Sequence, residues 1–153
     1  MLHEAGRVHG SIADWRQGTA EQTGLQPDRF DLIFMSQAYH HLHDVSGALR
    51  ELRRISRSPS RLLIRNGSRE NLEALHWLEF FPAALEIERR RAPRQESIIR
   101  DAERAGFQLL SMRTIEQLSS DSWHHHLERI EQRGLSVMLM IDDGSFPLSA
   151  YHE

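Results

Sequence analysis

Asp28-Arg-Phe-Asp-Leu-Ile-Phe-Met-Ser-Gln-Ala-Tyr-His-His-Leu-His-Asp44 leads into Val45–Ser56 and then, past Arg57–Ser60, into Arg61-Leu-Leu-Ile-Arg65. Phe30 to Met35 is a short apolar run, the pattern of a strand buried on both faces as parallel sheets require. Ser36 and Gln37 end it. From Asp44 onward the apolar residues fall at Val45, Ala48, Leu49, Leu52 and Ile55. That spacing is helical, with Arg50, Glu51, Arg53 and Arg54 turned outward and Asp44 or Ser46 as the N-cap. Leu62, Leu63 and Ile64 make a second buried strand. Strand, crossover helix and strand in this order imply two parallel neighbours joined by a right-handed connection, half of a doubly wound sheet.

Ligands of such sheets bind beyond the carboxyl ends of the strands, which puts Ser36, Gln37, Ala38, Tyr39, His40 and His41 where chemistry is expected. Five pieces here stand in order: Phe30-Asp31-Leu32-Ile33 with Ser36, His40-His41-Leu42, Ala48-Leu49 with Glu51, Arg54-Ile55, and Arg61-Leu62-Leu63-Ile64. Together they resemble the central part of class I S-adenosylmethionine-dependent methyltransferases, of the type 11 or ubiquinone/menaquinone-biosynthesis-like group. The resemblance implies an α/β chain, a partial Rossmann-like doubly wound sheet, that moves a methyl group from S-adenosylmethionine to a small-molecule acceptor. It also implies that Ala13 to Leu25 matches the third strand and the loop against the cofactor's adenine. Gly18, Thr19, Ala20 and Glu21 would then form the adenine side, with Thr19 in place of the family's common Asp. Ser36 and Gln37 would floor the site near the methyl group, and Tyr39 and His41 would face the substrate, with His41 placed to act as a base. Read without the resemblance, Gly18 to Glu21 is a helix start capped by Thr19.

Two departures from the family pattern stand out. Between helix and second strand the family has Pro-Gly-Gly, where this chain has Ser58-Pro59-Ser60. The fold's cofactor fingerprint is a Gly-x-Gly turn after the first strand and an acid after the second. Among the nine glycines no two are separated by a single residue. Residues 1–153 are therefore expected to be one incomplete domain beginning after the first two strands. In the family's order, 3-2-1-4-5-7-6, this would leave the Ile12–Gln17 strand without a neighbour and the Phe30 strand with an exposed apolar edge, a route to self-association. A non-catalytic remnant or partner subunit that has lost the cofactor is the alternative.

Composition narrows the classes further. With 153 residues, 39% hydrophobic and 27% charged, the chain is one soluble domain's worth. It has no cysteine, which excludes disulfides, thiolate metal sites and cysteine nucleophiles. All 19 basic residues are arginine, so Schiff-base and Walker-type lysine chemistry are excluded too. The net charge of -3 gives no electrostatic case for nucleic acid. No apolar run reaches membrane-span length and the N-terminus lacks signal-peptide character, so a cytoplasmic protein with no membrane partner is expected. Arg89-Arg90-Arg91 reads as a solvated helix end.

The remaining chain reads as helices with one further strand. Ser68 is a candidate N-cap before an apolar face of Leu72, Leu75, His76, Leu78 and Phe80, interrupted by Pro82. Trp77, Phe80, Phe81 and Pro82 are either a substrate cover or an ordinary buried aromatic cluster. Arg94 to Ala105 is a helix stopped by Gly106, and Gln108 to Ile115 resembles the family's sixth strand. Ser120 or Ser122 caps a helix through Arg133 with Trp123, Leu127 and Ile130 on one face. Leu135 to Ile141 is unassignable by period. His40, His41 and His43, and His124-His125-His126, raise a His-based metal site as a further alternative. Consecutive helical residues point about 100° apart, so the second group cannot converge on one ion, and no metal is expected.

Overall fold

The computed structural model describes residues 13–118 and 120–142. They divide into two compact units, one ending at Arg65 but including 100–108, the other made of 66–99 and the residues from Leu109 onward.

In the first unit, strand β1 spans Phe30–Ser36, helix α1 Val45–Ile55 and strand β2 Ser56–Arg65. The two strands are parallel, with Ile33 opposite Leu62, Phe34 opposite Leu63 and Met35 opposite Ile64. The expected strand–helix–strand unit is therefore present. Helix α1 starts where Asp44 accepts a 2.8 Å hydrogen bond from the Gly47 N–H. A Cβ at position 47 would meet that same carboxylate, which would have to shift to keep the cap. Ala48 and Leu49 are fully buried, and Leu52 and Ile55 nearly so. The outward arginines leave this stripe as the helix's single apolar face.

β2 begins directly at the end of α1, earlier than the Arg61 start expected. The two-residue step from Phe30 to Leu32 in β1 faces the five-residue step from Ser56 to Arg61, a bulge that holds Pro59. Proline has no N–H to give a ladder, and a bulge is where a strand tolerates it.

The expectation that β1 is buried on both faces is not met. Met35 is buried and Ile33, Leu62 and Ile64 are half-buried, all on one face. On the other, Leu32 is 58% exposed, Phe34 56% and Leu63 55%. A two-stranded parallel sheet with one crossover helix has cover for one face only, which is the physical reason. The Ile12–Gln17 strand is also absent from the described part of its range: residues 13–17 are irregular, and Ile12 lies outside the described residues.

The second unit contains two 3-10 helices, Arg69–Ala74 and His76–Phe80, then α2 at Pro82–Arg91. An apolar residue every third position at 72, 75 and 78 suits a three-residue turn, where side chains at i and i+3 align. Pro82 takes the first position of α2, where its missing N–H costs nothing. Ser68 donates 2.6 Å to the Asn71 side chain and makes no backbone cap. Of the arginine cluster, Arg90 pairs with Glu86, whereas Arg91 is largely covered and bonds both Glu88 and Ser136. α3 spans Gln95–Arg104, and Gly106 follows it at φ +88°, with the Phe107 N–H bonded 3.1 Å to the Ala102 carbonyl. That is a left-handed helix stop.

Residues 109–118 form no strand, contrary to expectation, and Leu110, Ile115 and Leu118 are 72%, 74% and 86% exposed. A strand needs a neighbour for its N–H and C=O groups, and no described strand pairs with this one. α4 spans Trp123–Glu131 with Ser122 as its cap, accepting from the His125 N–H at 3.2 Å. Its inward residues are His126 and Ile130, while Trp123 is 54% exposed. They join Leu72, Trp77, Leu78, Phe81, Ala84, Val137 and Met138 in the unit's core. Trp77 and Phe81 are thus buried packing, 6.0 Å apart edge to face.

His126 is 3% exposed, stacks on Trp123 at 5.5 Å, and has no hydrogen-bond partner at either ring nitrogen among the described residues. Burial, and then the nearby Arg129, push its pKa down. A pKa lower in the folded than in the unfolded chain means that the unfolded state takes up the proton first. Stability is then full above the ordinary histidine value and falls as pH drops through the folded value. His126→Leu should remove this component: between pH 7 and pH 5 the wild-type melting temperature falls further than the variant's. Parallel pH profiles would show that His126 is not buried neutral.

Candidate functional site

The loop after β1 is fixed where it leaves the strand. The Gln37 N–H donates 2.7 Å to the Arg65 carbonyl, and the Arg65 guanidinium donates 3.0 Å to the Ser36 hydroxyl. Gln37 itself has φ +51°, a left-handed conformation costing a residue with a Cβ on the order of 1 kcal/mol. It turns the chain sharply at the strand's carboxyl end, where Tyr39–His41 form one 3-10 turn. The His41 N–H bonds the Ala38 carbonyl at 3.0 Å. His41 is exposed, with its ring 4.0 Å from that of His40.

Tyr39 is placed differently from its neighbour. It is 4% exposed, and its hydroxyl donates 3.1 Å to the Asp101 carboxylate. Burial and then Asp101 push its pKa well above the ordinary phenol value, so it stays protonated and acts as a hydrogen-bond donor. Its geometry is that of an anchor for the loop that presents His41.

Gly18, Thr19, Ala20 and Glu21 lie in an irregular segment with a bend at Ala20 and Glu21. A Cβ at Gly18 would meet only the Gln22 carbonyl at 3.9 Å, so the space beside it is open. The Glu21 carboxylate accepts from the Asp44 N–H at 3.4 Å. Its own backbone N–H, and then the Asp44 N–H and the Thr19 hydroxyl, hold its pKa below the ordinary range against desolvation and the Asp44 charge. Thr19 and Glu21 are therefore tied to each other and to the start of α1.

A clamp that the sequence did not disclose holds the same segment further on. Glu51 on α1 accepts from both the N–H and the hydroxyl of Thr23, at 3.1 and 2.5 Å. Arg54 donates 2.6 Å to Glu51 and 2.6 Å to the Leu25 carbonyl. Arg54, and then Thr23, hold the Glu51 carboxyl down at about 2. The Glu51–Arg54 pair is legible from its i, i+3 spacing. Thr23, 28 residues away, carries no such signal, and neither do Arg65 and Asp101. Among the described residues no three His, Asp or Glu side chains converge as metal ligands. No described helix is long and apolar enough to cross a membrane.

Residues 1–64 match the family model described as a methyltransferase domain. Over this segment the chain is similar to a methyltransferase domain. The segment contains α1, nearly all of the parallel pair and every candidate residue above, and the methyltransferase match carries with it a Rossmann-like α/β fold, with which the β1–α1–β2 unit agrees. Over 49 residues the chain is 41% identical to the uncharacterized protein YafE of Escherichia coli (strain K12), covering 32% of this chain and 24% of that protein. The chain spans about a quarter of the length of the curated relative it matches. No solved structure matches it.

Proposed function

We propose that this chain is part of an S-adenosylmethionine-dependent methyltransferase acting on a small-molecule O, N or C nucleophile. The observation that carries the reading is the parallel β1–α1–β2 unit inside the methyltransferase match, with the left-handed Gln37 and the His41 turn at the carboxyl end of β1. Bound cofactor supplies a sulfonium methyl group that needs little activation, which leaves positioning and proton removal to the protein. Ser36 and Gln37 floor the site. His41, exposed and backbone-fixed, takes the proton from the acceptor. Tyr39 keeps the turn in place through Asp101.

The donor set fits one edge of the cofactor. Open space beside Gly18 and the backbone of 18–21 suit the flat adenine ring, although the Thr19 side chain is already engaged with Glu21 and that of Glu21 with the Asp44 N–H. No Gly-x-Gly turn is present in the sequence for the remainder. This favours a second reading for the chain by itself, a subunit or remnant that does not hold the cofactor alone. The exposed Leu32, Phe34 and Leu63 favour self-association at the sheet.

Calorimetric titration of S-adenosylmethionine into the chain is expected to give no measurable heat of binding, with light scattering on the same sample reporting species larger than a monomer. Micromolar binding to a monomer would sink this account of the cofactor site. In a polypeptide that also carries the glycine turn, His41→Ala should slow the chemical step roughly 10²- to 10⁴-fold and leave cofactor affinity nearly unchanged. Full single-turnover rate per folded molecule would remove His41 from the mechanism.

A further inference from the structure

The second unit contains a cavity of about 620 Å³, within the size range of small-molecule sites. Leu72 and Leu78 from the two 3-10 helices, Leu75 between them and Leu85 from α2 give it apolar walls, and Arg69 and Arg89 line it as well. Its chemistry follows from the backbone. Arg69 and Leu72, three apart in the first 3-10 helix, share one face of it. Leu85 and Arg89, four apart on α2, share a face. The result is an apolar trough carrying two guanidinium groups.

The state of those two groups sets them apart. Their neighbours Arg90 and Arg91 are paired with Glu86 and Glu88. Neither Arg69 nor Arg89 has a side-chain hydrogen bond or ion pair among the described residues. The Arg69 Nε is shut off from solvent with no acceptor. A buried N–H without an acceptor costs on the order of 1–3 kcal/mol, more when the group is charged, and a carboxylate is the acceptor whose geometry matches a guanidinium. Reaching Nε takes a turn of the guanidinium about its terminal bonds. Glu73 and Glu79 also border the cavity, but both are exposed and Glu79 lies 3.8 Å from His76. They face water already, whereas the Arg69 Nε as it stands is closed off from it.

We propose that this cavity binds an amphipathic monocarboxylate, its apolar body along the leucines and its carboxylate on Arg69 and Arg89. The site is separate from the candidate methyl-transfer residues and does not depend on their role.

The test is calorimetric titration of the full chain with three probes that each carry a ten-carbon chain: decanoate, decan-1-ol and decyltrimethylammonium. Decanoate should bind saturably with one site, and the alcohol and the cation about tenfold or more weakly, the range of one charged hydrogen bond. Arg69→Gln and Arg89→Gln should each erase most of decanoate's advantage over the alcohol. Because Arg89 is exposed, its variant keeps the test decisive if Arg69→Gln lowers the melting temperature. Absent saturable binding, equal affinity for the three probes, tighter binding of the cation, or undiminished decanoate affinity in Arg89→Gln would each overturn the proposal.

Discussion

The first unit depends on burial of one stripe of α1. Ala48, Leu49, Leu52 and Ile55 form the helix's only apolar face, and the helix packs back on β2. A two-stranded parallel sheet has too few neighbours to stand alone, so its persistence rests on that contact. Leu49 is fully buried, and truncating such a leucine costs about 2–5 kcal/mol. That is a large part of the stability of any small unit.

Position then passes outward from the helix by hydrogen bonds. The Arg54 and Ile55 carbonyls at its C-terminus accept from the Asp28 and Arg29 N–H groups, which sets where β1 begins. Glu51 and Arg54 hold Thr23 and Leu25, and Asp44 at the N-terminus meets Glu21. One helix thereby fixes both the segment that includes Gly18–Glu21 and the strand that ends at Ser36. The placement of His41 follows from this framework together with two distant partners, Arg65 for Ser36 and Gln37, and Asp101 for Tyr39.

The parts legible in the sequence are those governed by local periodicity. α1 and its Asp44 cap, the β1 run, Gly106 after α3 and Ser122 before α4 all depend on residues within four positions of one another. What depends on distant partners was not legible. Gln108–Ile115 has strand-like composition yet no strand to pair with among the described residues, and the apolar face of Leu32, Phe34 and Leu63 gives no sign in sequence of which side is covered. The 69–80 segment is ambiguous for a different reason: leucines every third residue fit a 3-10 turn and an α-helix almost equally well over so short a span. In the candidate site, the residues near the end of β1 follow from the rule that places ligands beyond strand ends. The burial of Tyr39 against Asp101, which separates its role from that of His41, does not.

Amide hydrogen exchange on the full chain, with and without Leu49→Ala, tests most directly whether α1 holds the parallel pair. The account predicts that amides of Phe30–Ser36, Arg61–Arg65 and α1 are protected to a similar degree in the wild type and lose protection together in the variant. Strand amides that exchange like an unfolded chain while α1 stays protected, or strand protection unchanged by Leu49→Ala, would contradict it.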